Sequence, residues 1–238
     1  MFSKAAICAN LKKMAKIQKT IIISLGGSII IPDKIQTEFL KRFKEFILKF
    51  IKQGYTFIIV TGGGNICREY QKAAAQISQL TDEDKDWLGI HATRLNAHLL
   101  RTIFKKEAYP VVLDSPHKEM NGAKFNLFIA SGWRPGWSTD YDAVLLAKRF
   151  KTNKLINASN IIHVYDENKK SIKKISWKNY RKLISSKWQP GMNVPFDPIA
   201  AKAAQEFKME VIVTKGTDLK NLANIIQGKK FNGTIIHP

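Results

Sequence analysis

A chain of 238 residues, 45% of them hydrophobic, is long enough to bury one sizeable core, and its apolar runs are too short to span a bilayer. Two cysteines, Cys8 and Cys67, make no disulfide framework, and no CxxC or His-rich spacing marks a zinc site, so the expected compartment is the cytoplasm and no resident metal-ligand set is expected. The formal charge of +20 comes from 39 basic and 19 acidic residues; the lysines are scattered along the chain and arginines, the usual base readers and phosphate clamps, are few, so the charge argues only weakly for nucleic acid.

Residues 1–18 carry basic residues but no unbroken apolar core before a small-residue cleavage site, which reads as a flexible leader rather than a signal peptide. The run 20–25 is a short strand ending at Gly26-Gly27-Ser28. Residues 36–52 space Phe39, Phe43, Phe46 and Phe50 three or four apart, the pattern of an amphipathic helix with its aromatics in the core. A second strand, 56–61, runs into Gly62-Gly63-Gly64-Asn65. Helices are expected over 65–78 and 86–106, with 80–88 as the loop entering the latter. Strands follow at 109–114 and 126–131, then a helix over 139–150 capped by Thr139 or Asp140. In the second half, 154–159, 210–215 and 233–238 read as strands. Residues 176–187, 197–207 and 218–227 read as helices, the middle one with Asp197 as cap and Pro198 in its first turn. Short apolar strands alternating with amphipathic helices predict an α/β chain whose mostly parallel sheet is covered on both faces. No linker separates the halves, so one domain of two lobes is expected.

In such sheets ligands sit beyond the carboxyl ends of the strands. Gly26-Gly27-Ser28, Gly62-Gly63-Gly64-Asn65 with Arg68 behind it, and "SGWRPGWSTD" (131–140) all fall there. Glycine-lined amides and helix N-termini attract phosphate, and three such loops on one edge point to several phosphates. A tight turn alone explains Gly26-Gly27 equally well. A dinucleotide fingerprint fits poorly: Cys67 stands where its last glycine belongs and no acidic strand end follows about 20 residues on. A Walker A loop is absent. His91 and His98, seven apart, are too distant to share a metal and read as surface or packing residues.

"LGGS" after the first strand, "GGGN..R" after the second, "KDWLGIHATRLNAHLL", "RPGWSTDYDAVLLA", "ASN....VY" and "FDPIAAKAA" occur in this order. Together, from about residue 20 to the end, they resemble the amino acid kinase superfamily, most closely its UMP kinases of the archaeal type. The resemblance implies a three-layer α/β/α sandwich, an acceptor lobe over about 19–150 and an ATP lobe over about 151–238. It implies ATP and Mg²⁺ as cofactors, UMP as acceptor, and a homo-oligomer, a hexamer by analogy, with helix 86–106 as its dimer-forming element. Gly27, Ser28, Gly64 and Arg68 match ATP-phosphate positions, and Ser159, Asn160, Tyr165 and Asn168 match positions around adenine and ribose. Gly63, Asp86 (on the ribose hydroxyls) and the loop Trp133, Arg134, Pro135, Gly136, Trp137, Ser138 and Thr139 match the UMP side. Asp197 matches the carboxylate that organises the reacting phosphates. Ser24 stands where many relatives carry Lys, which makes Lys202 or Lys215 the candidate cation for the transferring phosphate, with exposed surface lysine as the plain alternative. Ile162, His163 and Asn168 replace the usual adenine-loop residues.

The rival readings are a kinase of the same fold for isopentenyl phosphate, a nucleotide- or anion-binding relative without turnover, and an RNA-binding role resting on the charge. The first uses a His soon after the phosphate-loop glycines, and residues 62–72 contain none.

Overall fold

The computed structural model describes residues 19–120, 124–190, 192 and 194–238; the expected leader lies outside them. The strands are β1 (Lys19–Leu25), β2 (Tyr55–Thr61), β3 (Leu127–Ala130), β4 (Lys154–Ser159), β5 (Val164–Tyr165), β6 (Ser171–Ile172), β7 (Lys174–Ser176), β8 (Glu210–Lys215) and β9 (Thr234–His237). The helices are α1 (Gly27–Ile30), α2 (Thr37–Lys52), α3 (Gly64–Ile77), α4 (Asp82–Ile103), α5 (Thr139–Arg149), α6 (Trp177–Leu183), α7 (Pro198–Glu206) and α8 (Leu219–Ile226). Seven strands form one sheet in the order β3-β2-β1-β4-β8-β9-β7, and β5 and β6 form a separate hairpin. All neighbours in the large sheet are parallel except β8 and β9.

Helices on both faces explain why the strands are continuous apolar runs: every residue of β2 is buried. Successive side chains alternate between two cores. Ile22 and Ile58 join the alanine-rich faces of α5 and α7 and the buried Trp177 and Tyr180 of α6. Ile23 and Ile59 join Phe39, Phe43, Ile47 and Phe50 of α2, with Leu100 of α4 and Leu222 of α8. The phenylalanine repeat is therefore core, with Phe39 stacked on Phe43 at 5.5 Å between ring centres.

Four local expectations are corrected. Residues 109–114 form no strand, only a bridge between Leu113 and Ala130; Pro110 supplies no N–H for a ladder there. The segment expected as a loop before residue 86 is already helix. Thr81 accepts from Asp84 N while the Asp84 side chain accepts from Thr81 N, a capping box that starts α4 at Asp82. The cap of α5 is Ser138, whose hydroxyl accepts from Tyr141 N, not Thr139 or Asp140. The helix expected to reach 187 ends at Leu183.

Candidate active site

From β1 the chain builds outward to β2 and β3, then returns to the other side of β1 as β4. Loops leaving neighbouring strands in opposite directions open a crevice at their carboxyl ends. The crevice is pinned at its base, where Gly26 N donates to the Ala158 carbonyl at 2.9 Å.

The glycines are first of all a packing requirement. A Cβ on Gly27 would lie 1.9 Å from Gly64 N, and one on Gly62 would lie 2.5 Å from Gly27 N. The loops after β1 and β2 therefore touch backbone to backbone, and Gly64 takes the left-handed conformation (φ 72°) as it enters α3. Asn96 of α4 secures the turn by donating to the carbonyls of Gly62 (2.8 Å) and Gly63 (3.2 Å). What the loops leave between them is lined by Gly63 and Gly64.

That space is a cavity of about 250 Å³. Of the sequence-predicted residues, Gly63, Gly64, Arg68, Asp86, Trp137, Ser138, Thr139 and Asp197 line it. Asp86 holds the far wall: its Oδ2 accepts from Gly136 N at 2.6 Å, which ties the 133–137 loop to α4. Burial raises the Asp86 pKa above the usual carboxylate value, and the Gly136 hydrogen bond opposes it. In that loop Arg134 lies 4.3 Å from the Trp133 ring centre and 4.7 Å from that of Trp137, and Trp137 stacks on Tyr141 at 4.3 Å. Trp133 packs edge-on against His117 instead of reaching the cavity, and Pro135 and Gly136 line a shallow recess beside Asp86.

A wider cavity of about 680 Å³ adjoins it, lined by Ser28, Arg68, Ser159, Asn160 and Tyr165 among the predicted residues. The Ser159 hydroxyl is buried there without a hydrogen-bond partner among the described residues. Arg68, Met192 and Val194 line both cavities. Gly27 is buried beneath the loops. Asn168 sits exposed at the tip of the β5–β6 hairpin, where its N–H donates to Asp166 Oδ1 at 3.0 Å. Lys202 and Lys215 are exposed and line neither cavity.

Three carboxyl groups gather under the shared edge. Asp197 caps α7 through Oδ1, accepting from Ile199 N (2.8 Å) and Ala200 N (3.0 Å), and Oδ2 accepts from the Ser138 hydroxyl. Burial still leaves its pKa raised. Asp140, set deep among protein atoms but lining the smaller cavity, is pushed up to about 7 by burial and by the Asp197 charge, against the opposing Ser24 hydrogen bond. Asp142 is pushed up to about 8, mainly by burial, while its Oδ2 accepts from Trp133 N at 3.1 Å. Ser24, the position where the resemblance expects Lys, donates its hydroxyl hydrogen to Asp140 Oδ1 at 2.7 Å, and Asn157 approaches the same oxygen at 3.3 Å. Sequence reasoning missed Asp140, Asp142 and Asn157. Acids in a first helical turn read as dipole partners, and only the fold sets Asp140 against β1 and β4.

The model of the amino acid kinase family matches residues 19–123 and 128–215. The uridylate kinase of Thermoplasma volcanium is 35% identical over 221 residues, which is 89% of this chain and 94% of that protein. The uridylate kinase of Thermococcus sibiricus is 30% identical over 92% of this chain and 99% of its own length. The crystal structure of the uridylate kinase from Archaeoglobus fulgidus superposes with a TM-score of 0.76 at 31% identity, covering 91% of this chain and 99% of that one. With its paired cavities at the switch point of the sheet and the family pattern running nearly end to end, the chain belongs to the amino acid kinase family.

Proposed function

We propose that this chain is a UMP kinase that moves the γ-phosphoryl group of ATP onto UMP. The observation that carries this reading is the pair of adjoining cavities that meet at Arg68, together with relatives named uridylate kinase over nearly the whole chain. The acceptor nucleotide takes the smaller cavity. Its phosphate lies on the Gly63 and Gly64 backbone, its ribose hydroxyls on Asp86, and its base against the Trp133–Thr139 loop, with Trp137 as the aromatic wall. ATP takes the wider one, its phosphates over Ser28, Gly64 and Arg68 and its nucleoside along Ser159, Asn160 and Tyr165.

An ionised oxygen of the UMP phosphate attacks the γ-phosphorus. The bond from that phosphorus to the bridging oxygen breaks, and ADP leaves with the electron pair. The attacking oxygen carries no proton to remove near neutral pH, so the task is positioning and charge neutralisation. Arg68 is the basic side chain that faces both cavities, which makes it a better candidate than the exposed Lys202 or Lys215 for the charge the Ser24 position lacks. Ser138 and Asp197 fix the start of α5 and α7 at the point where the two phosphates meet.

Among the described residues no group of three acidic, His or Cys side chains is arranged to hold a metal on its own. Mg²⁺ would arrive on the triphosphate, Asp140, which lines the smaller cavity, would be the carboxyl to hold it, and the ion would supply neutralisation of the phosphate charge. A homo-oligomer built on α4 fits the exposed Trp87 and Leu95 on that helix.

A coupled assay with MgATP comparing UMP, CMP, AMP and isopentenyl phosphate tests the reading. UDP formation selective for UMP is expected. UMP binding without turnover of any acceptor would instead mark a non-catalytic relative, and turnover of isopentenyl phosphate alone would move the chain to the rival kinase.

A further inference from the structure

Four glycines line the smaller cavity: Gly63, Gly64, Gly89 and Gly132. Three of them are demanded by their surroundings. A Cβ on Gly63 would lie 2.9 Å from the Cys67 Cβ, one on Gly132 would lie 2.9 Å from the Thr93 hydroxyl, and one on Gly64 would lie 2.7 Å from the Gly27 carbonyl oxygen. Gly89 differs. It sits inside α4 in ordinary helical conformation, and a Cβ there would come no nearer than 3.4 Å to Cys67 Sγ and 3.8 Å to Gln71 Nε2. That is contact with the ends of two side chains, which an alanine makes without displacing any backbone. Glycine in a helix interior is destabilising relative to alanine, so neither packing nor backbone conformation accounts for it.

The space that the missing side chain leaves open belongs to the cavity. Cys67 and Gln71 of α3 line it together with Gly89, and Gln71 is held in that wall by donating through Nε2 to the Lys85 carbonyl at 2.7 Å. On α4, Asp86, Gly89 and Thr93 recur three and four residues apart, so they follow one another along a single face, and all three line the cavity. Asp86 stands about one turn to one side of Gly89. About one turn to the other side is Ala92, whose Cβ would lie 3.5 Å from a Cβ on Gly63. Gly89 therefore lies between the carboxylate proposed for the ribose hydroxyls and the glycine loop proposed for the phosphate. Whatever joins those two groups in a ligand must pass across Gly89.

We infer that Gly89 is a specificity-determining residue of the acceptor site: the side chain it lacks leaves the room that the sugar of a nucleoside monophosphate occupies between Asp86 and the Gly63–Gly64 loop. The inference rests on the UMP kinase reading and deepens it, because it names the part of the wall that admits a ribose. An added methyl group fills that room, so alanine at this position stabilises the empty protein and obstructs the acceptor. A glycine kept for packing would behave otherwise, since its replacement would weaken the fold and the binding together.

The test is Gly89→Ala, with Tm from thermal melts and steady-state kinetics in which UMP and ATP are varied in turn. Replacing a helical glycine by alanine is expected to raise Tm by about 2 °C. Crowding the sugar is expected to raise KM for UMP about tenfold. KM for ATP should stay in place, because Gly89 does not line the wider cavity. Cys67→Ala, alone and combined with Gly89→Ala, separates obstruction of the ligand from pressure between the two helices, since removing the sulfur relieves only the pressure. The rise in KM caused by Gly89→Ala should therefore persist in the Cys67→Ala background. An unchanged KM for UMP would overturn the inference. So would a fall in Tm or a recovery of KM in the double variant, either of which makes Gly89 a packing residue between α3 and α4. If wild type binds UMP without turning it over, the kinase reading fails but the same comparison is read from dissociation constants by calorimetry. If wild type does not bind UMP at all, both fall together.

Discussion

The two cavities are built differently, although they share an edge and a cation. At the smaller cavity several polar groups are already committed: Asp86 to Gly136 N, Asp197 to Ser138 and the start of α7, and the Gly62 and Gly63 carbonyls to Asn96. At the wider cavity the Ser159 hydroxyl is unpartnered among the described residues, and Tyr165 is 47% exposed. Groups held in place before a ligand arrives lose less freedom on binding and discriminate more sharply. Substitutions on the acceptor side should therefore change which substrate is taken, and those at the shared edge should change everything together.

The largest effect should come from the contact on which both cavities stand. Gly27→Ala places a methyl group 1.9 Å from Gly64 N, and separating the two loops costs about 3 kcal/mol, or about 6–12 °C in Tm. Both KM values should rise with it. Thermal unfolding followed by circular dichroism checks this, and an unchanged Tm with normal kinetics would mean the loops do not touch as described. Next comes Arg68→Met, expected to lower kcat/KM about 100-fold and to raise KM for UMP and ATP alike, since Arg68 lines both cavities. A rise in one KM alone would assign Arg68 to a single cavity and remove the shared cation.

Asp86→Asn separates the cavities most cleanly. The amide oxygen still accepts from Gly136 N, so the 133–137 loop stays tied to α4, but the charged acceptor proposed for the ribose hydroxyls is gone. Hydrogen bonds to charged groups are worth about 1.5–3 kcal/mol. KM for UMP should rise about tenfold or more, and KM for ATP should stay put. Steady-state kinetics with each substrate varied in turn decides it, and a matching rise for ATP would contradict the separation drawn between the two regions.

The fold was legible because its signals are local: apolar runs of strand length, the phenylalanine spacing of α2, and Asp197-Pro198 at the start of α7. Residues 109–114 misled because Val111, Val112 and Leu113 imitate a strand that Pro110 prevents from pairing. The start of α4 was hidden by reading polar residues as loop when Thr81 and Asp84 spell a cap. Of the residues lining the smaller cavity, Gly63, Asp86 and Trp137 could be named by family pattern, whereas Asp140 could not. Its place depends on a hydrogen bond from Ser24, 116 residues away in the chain. Lys202 was nominated because it lies one turn beyond Asp197, but a helix that buries its alanines against α5 turns that lysine outward.

A pH titration separates the smaller cavity from the buried layer beneath it. Asp142 lies under the 133–137 loop with one oxygen on Trp133 N and the other without a partner among the described residues. Its carboxyl pKa, about 8 in the folded protein, returns to an ordinary value near 3.8 when the chain unfolds. Between those values the native state holds the proton and the unfolded state has lost it, so stability falls as pH rises through this window and levels off above about 8. Asp142→Asn keeps the oxygen for Trp133 N and removes the ionisation. The variant and wild type should have similar Tm near pH 4, and the variant should become the more stable of the two by a widening margin up to pH 8. Asp140 still titrates in both proteins, so some pH dependence remains in the variant. Parallel melting curves from pH 5 to 8 for the two proteins would mean that Asp142 is ionised in the folded state, and that the floor of the acceptor site carries a charge the loop above it must neutralise.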